Sequence, residues 1–230
     1  MLDTVLFEFD GVLVDTGEAR RDALCSALLA EGISVSATEY QEHCAGHGFE
    51  DAATAMLVAR GVVFDETMIA LLAARSERAF RAYVGKGVTL VDGARDLIDR
   101  LLPVARLGIV SRSSRQEIAL VLSLARLEHA FTCVIAAEDA FPPKPSPSPY
   151  QAAIARLAKQ RPLRPRSITV ALEDSWQGIR AAHAAGIRCV AVGPLPAHVA
   201  MEADALVPDL RNLTPEVLEA LVVGSHERIP

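Results

Sequence analysis

The chain has 230 residues, 51% hydrophobic and 23% charged, and its 23 Lys and Arg against 29 Asp and Glu give a formal net charge of -6. That length suits one large domain, or one domain carrying a smaller one, with ample core. The mild acidity, without any Lys/Arg run, argues against a nucleic-acid partner, and charges or prolines interrupt every apolar stretch short of the ~20 residues of a membrane-spanning helix.

Residues 4–9 are β-branched and aromatic and predict a short buried strand ending at Asp10-Gly11. The start, Met1-Leu2-Asp3, leads straight into it without the basic region or cleavage site of a secretory signal, so a cytoplasmic protein is expected. From about Gly17 to Gly87 only helical spacing appears: Leu24, Ala27 and Leu28; Ala52, Ala53, Met56 and Leu57; then Met68, Ile69 and Leu72 leading to Phe80 and Tyr83. Strand patterns return at 106–111, 133–136, 167–172 and 188–193. Between them lie helical spacings at Ile118, Val121, Leu122 and Ala125, at Ile154, Leu157 and Ala158, and at Ile179, Ala182 and Ala185 before Gly186. Apolar strands alternating with helices predict an α/β fold with a parallel sheet covered on both faces and a ligand site outside the strands' carboxyl ends. The expected domains are a core of residues 1–16 and 88–230 and a helical cap of residues 17–87, inserted where it could act as a lid. The proline-dense residues 141–149 read as a stiff loop.

Cys25, Cys44, Cys133 and Cys189 form no CxxC pair and are expected as free, mostly buried thiols. His43, His47, His129, His183, His198 and His226 lack the spacing of a histidine-ligated metal site.

Four polar clusters fall at predicted strand ends or just beyond: Glu8 to Thr16, Ser111 to Ser114, Pro143-Lys144-Pro145, and Glu173-Asp174-Ser175. Oxygen-only carboxylates suit a hard cation such as Mg2+. A lysine and a serine near a helix N-terminus suit phosphate. The rim reads as a phosphoryl-transfer site in which one carboxylate attacks phosphorus and a second serves as general acid.

These four clusters, in this order, resemble the motifs of the haloacid dehalogenase superfamily, in the helical-cap branch similar to β-phosphoglucomutase and phosphoglycolate phosphatase. The resemblance spans essentially the whole chain. It implies a Rossmann-like core, Mg2+, an aspartyl-phosphate intermediate and a small phosphorylated metabolite as substrate, with the protein a monomer or weak homodimer. Residue by residue it implies Asp10 as general acid and base, Ser111 as a phosphoryl contact with Arg112 beside it, and Lys144 neutralising both the phosphoryl group and the strand-one carboxylate. It also implies a metal shell of Glu8, Asp10, Glu173 and Asp174. The family pattern has aspartate at the nucleophile position, where this chain has Glu8. One methylene moves a carboxylate by roughly 1 Å, and such a misplacement can cost about 10²-fold in rate. Three readings stay open: chemistry lost with ligand binding retained, a rearranged active site, or a substitution introduced to trap the protein.

On the cap, Arg20 and Phe49 stand where the phosphoglucomutase relatives carry a histidine and an arginine, which disfavours a sugar-phosphate mutase. Arg20 and His47 are the candidate substrate contacts there, His47 within the loop 44–49. Asp15 and Thr16 are expected to order the turn into the cap. Each site residue also has a plainer reading: Ser111 as a helix cap, Lys144 as a solvated loop residue, and Glu173-Asp174 as the cap of a helix near Trp176.

Overall fold

The structure is a computed structural model that describes residues 1–162 and 167–223; His226 lies outside the described residues. The chain divides into two compact units, one formed by Met1–Asp15 with Thr89–Pro230 and the other by Thr16–Val88.

The first unit is built on a parallel six-stranded sheet in the order β3-β2-β1-β4-β5-β6. Its strands are β1 (Leu2–Phe7), β2 (Arg106–Val110), β3 (Cys133–Ile135), β4 (Ile168–Glu173), β5 (Arg188–Val192) and β6 (Ala205–Val207). The order reverses on either side of β1, and in such sheets the crevice beyond the strand ends at that switch point is where ligands bind. Register pairs Phe7 with Ile109 of β2 on one edge and with Leu172 of β4 on the other. All six residues of β1 are buried, so both faces of the sheet are covered there.

β1 ends two residues earlier than its apolar pattern suggests, at Phe7, and Glu8 is the first residue past the ladder. Phe9 stays fully buried because the chain turns back on itself: the Leu13 and Val14 amides both donate to the Phe9 carbonyl, and Gly11 N–H donates to the Val14 carbonyl. β6 escaped the sequence pattern, being only three half-buried or exposed edge residues. The helices α5 (Ala94–Leu101), α6 (Arg115–Leu124), α7 (Ser148–Gln160), α8 (Trp176–Ala184), α9 (Ala197–Ala200) and α10 (Pro215–Val223) belong to this unit. The stretch read as a loop thus ends two residues early, with Ser148-Pro149 opening α7. Proline is tolerated there because first-turn amides have no partner within the helix.

The second unit contains α1 (Gly17–Leu29), α2 (Ala37–His43), α3 (Phe49–Ala59) and α4 (Glu66–Val84). Its interior takes Leu24 and Leu28 from α1, Met56 and Leu57 from α3, and Leu72 and Phe80 from α4. Tyr83 differs from expectation: α4 buries Phe80 and Val84, one turn apart, and leaves Tyr83 exposed. α2 carries no buried residue and gave no periodic signal, but Ser36 and Glu39 close a capping box at its start.

The cysteines are free, with Cys44, Cys133 and Cys189 buried and Cys25 half-buried. Among the described residues no helix is long and apolar enough to cross a membrane. Phe80 meets Phe49 edge to face at 6.1 Å and is fully buried. Phe80→Ala is expected to destabilise the helical unit by about 3–5 kcal/mol, read as a shift of the urea midpoint.

Candidate active site

The ends of β1, β2 and β4 and the loop before α7 place their polar residues on one buried ammonium. Lys144 Nζ donates to Glu8 Oε2 at 2.5 Å, to Glu173 Oε1 at 2.5 Å and to the Val110 carbonyl at 2.8 Å. Three acceptors match the three protons of an ammonium, which is what a buried lysine requires. Burial alone would pull the Lys144 pKa down, but Glu173 and Glu8 outweigh it and hold the ammonium above its ordinary value. Lys144 is therefore no solvated loop residue.

Glu8 sits where the β1 backbone leaves the sheet, its amide still donating to the Leu172 carbonyl of β4. Its side chain folds back so that Oε1 accepts from the next amide, Phe9 N–H, at 2.7 Å, while Lys144 donates to the same carboxylate. The additional methylene is thus taken up by a bend toward the chain. Burial raises the Glu8 pKa and Glu173 adds to the rise, against Lys144 and Ser111, which favour the charged form.

Glu173 is fully buried at the end of β4. Besides Lys144 it accepts from the Tyr150 hydroxyl at 2.6 Å and from the Ser175 hydroxyl at 3.2 Å. The Tyr150 ring lies 5.0 Å from Lys144 Nζ, so one aromatic side chain supports both charges. The next residue, Asp174, lies against Gly11: a Cβ built there would stand 2.0 Å from Asp174 Oδ2, and the φ of +80° there is one that glycine adopts readily. Burial pushes the Asp174 carboxyl well above its usual range, and Glu173, Glu8 and Asp10 add to the rise against Lys144 alone.

The helix-cap readings go to other residues. Ser114 caps α6, with Glu117 completing a capping box, and Ser175 caps α8. Ser111, Glu173 and Asp174 are released from that task. Ser113, which the sequence reading passed over as part of a serine run, donates from its hydroxyl to Asp10 Oδ2 at 2.5 Å. Arg112 is half-buried beside them, with no hydrogen bond or ion pair among the described residues. Arg20 and His47 belong to the helical unit. The Arg20 guanidinium is buried over the rings of Phe49 at 4.6 Å and Phe80 at 5.3 Å. His47 is half-buried, and its Nδ1–H donates to the Ala45 carbonyl at 3.2 Å.

The expected metal set is not gathered into a finished shell: among the described residues no three Asp, Glu, His or Cys side chains converge in that way. An ammonium stands between two of its members, Glu8 and Glu173. The donor chemistry nonetheless fits Mg2+. Four carboxylates bear on one another around a single ammonium, and Mg2+ takes one or two carboxylates, completing its shell with water and substrate phosphate.

A sequence profile of haloacid dehalogenase-like hydrolases matches residues 5–192. The chain belongs to this family. It is 30% identical to protein CbbY of Cereibacter sphaeroides over 83% of this chain and 84% of that protein. It is 26% identical to the phosphoglycolate phosphatase of Photorhabdus laumondii, over 81% and 78% of the two chains. The crystal structure of CbbY from Rhodobacter sphaeroides in complex with phosphate superposes with a TM-score of 0.81 at 27% identity, covering 93% of this chain and 96% of that one.

Gly178, in the first turn of α8, was also missed by the sequence reading. A Cβ built there would lie 1.9 Å from the Glu173 carboxyl group. Helix propensity alone makes Gly→Ala stabilising by about 0.5–1 kcal/mol; at Gly178 the sign is expected to reverse, with Gly178→Ala lowering the melting temperature. Lys144→Met leaves two buried carboxylates facing each other, and about 3–5 kcal/mol of destabilisation is expected, measured by denaturant unfolding at neutral pH.

Proposed function

We propose that this chain is a Mg2+-dependent phosphatase acting on a small phosphorylated metabolite. The observation that carries the reading is the Lys144 ammonium bound to both Glu8 and Glu173 at the sheet's switch point. The relatives named above add weight, since one is a phosphoglycolate phosphatase and another was crystallised with phosphate.

The substrate phosphoryl group takes up the Ser111 hydroxyl and the Lys144 ammonium, the latter donating to the Glu8 carboxylate in the structure. A Glu8 carboxylate oxygen attacks phosphorus in line, the bond to the leaving oxygen breaks, and Asp10 gives that oxygen its proton. The resulting acyl phosphate on Glu8 is attacked at phosphorus by water, which passes a proton to Asp10. Inorganic phosphate departs and Glu8 is restored. Asp174, Glu8 and the Asp10 main-chain carbonyl would hold the Mg2+, which supplies charge neutralisation for the phosphoryl oxygens. Glu173, saturated by Lys144, Tyr150 and Ser175, holds the ammonium in place.

A second reading is a homologue that binds a phosphorylated ligand without turning it over. It is favoured by one observation: the Glu8 carboxylate lies folded back on Phe9 N–H, occupying donors that an incoming phosphoryl group needs. The two readings separate on turnover of an aryl phosphate with Mg2+, comparing the chain as it stands with Glu8→Asp. The phosphatase reading expects measurable turnover from the chain itself, rising about 10²-fold in Glu8→Asp. Turnover by Glu8→Asp alone would leave this chain a binder, and silence from both would remove the site assignment.

A further inference from the structure

We propose that Ser113 is a positioning residue that aims the Asp10 carboxylate at the leaving oxygen. The proposal rests on the phosphatase reading, in which Asp10 is the general acid. Ser113 is 2% exposed and connects in three directions. Its hydroxyl donates to Asp10 Oδ2 at 2.5 Å, its amide donates to Ser111 Oγ at 3.1 Å, and its carbonyl accepts from Ala137 N–H at 3.2 Å. The last bond ties it to the segment just beyond β3, and the Ser111 amide is likewise held by the Ile135 carbonyl of that strand. Ser113 is therefore fixed by the far side of the sheet, while its side chain reaches residue 10 at the end of β1.

Capping of α6 does not account for this hydroxyl, because Ser114 performs it with Glu117. A hydroxyl has one proton to give, and here it goes to a carboxylate across the rim. Holding Oδ2 fixes the Asp10 rotamer, and with it the direction in which the other carboxylate oxygen faces. The Ser113 amide meanwhile holds the oxygen of Ser111, the phosphoryl contact. One residue thus sets the geometry of both the acid and a phosphoryl contact, the first through its side chain and the second through its backbone. Only the first is lost on replacement by alanine.

The test is a leaving-group comparison. A good leaving group such as p-nitrophenolate departs with little help from an acid, whereas an alkoxide depends on one, and general acid catalysis is worth typically 10²–10⁴-fold. Ser113→Ala is expected to lower kcat for an alkyl phosphomonoester by about tenfold more than kcat for p-nitrophenyl phosphate, with similar KM changes for the two. Ser113→Thr, which keeps a hydroxyl, is expected to restore the alkyl rate. Equal losses on both substrates, or none, would overturn the role of Ser113. The comparison is run in the chain as it stands and in Glu8→Asp: equal loss or no loss from an active parent fails the role of Ser113 alone, whereas parents silent on both substrates fail the phosphatase reading on which that role rests. A crystal structure of Ser113→Ala tests the positioning separately: a rotated Asp10 carboxylate supports it, and an unmoved one refutes it.

Discussion

The buried ammonium of Lys144 is the interaction on which the rest of this site depends. Taking one cation and two carboxylates out of water is expensive, and the cost is offset only where geometry and further hydrogen bonds satisfy every charge. Here Val110, Tyr150, Ser175 and Phe9 N–H supply those bonds. Two neighbouring glycines make room for the carboxylates at the end of β4. Gly178 leaves the space into which the Glu173 carboxyl packs, and Gly11 leaves the space for Asp174. Two adjacent residues at the end of β4 thereby acquire different duties. Glu173 is saturated with donors and fully buried, while Asp174 is held in a crowd of like charge that favours arrival of a cation.

The same logic bears on Glu8. In an oriented site the penalty for a longer nucleophile is usually one of reach. In this chain the surplus length is taken up sideways, by a bond to the neighbouring amide, and charge balance with Lys144 is kept. The glutamate at position 8 thus pairs with Lys144 while its carboxylate is turned toward the chain.

Much of this was legible in the sequence. The parallel sheet follows from β-branched runs alternating with helical spacing, and the rim residues Glu8, Asp10, Ser111, Lys144, Glu173 and Asp174 follow from polar clusters at predicted strand ends. The omissions have physical causes. α5 presents Ala94, Leu97, Ile98 and Leu101 on one face, a plain helical period passed over in a chain already rich in such patterns. β6 is too short and too exposed to show an apolar run. Ser113 and Tyr150 owe their roles to partners far off in sequence, at residues 10 and 173, and carry no local signal. For Arg20 the sequence placed a cation on the helical unit but could not show two aromatic rings beneath it.

The strand order has a consequence for how the protein is made. β1 is the first strand synthesised, yet its two neighbours in the sheet are the second and the fourth. While the chain grows from the ribosome, β1 can pair with β2 early, but its other edge waits until β4 has emerged. Contacts between strands so far apart form slowly and leave an edge open to other chains meanwhile. The carboxylates at the ends of β1 and β4 come together only in that second pairing of β1. Closure of the second edge of β1 and assembly of the charged centre are therefore one event, and a nascent chain halted before Glu173 holds Lys144 and Glu8 but no site.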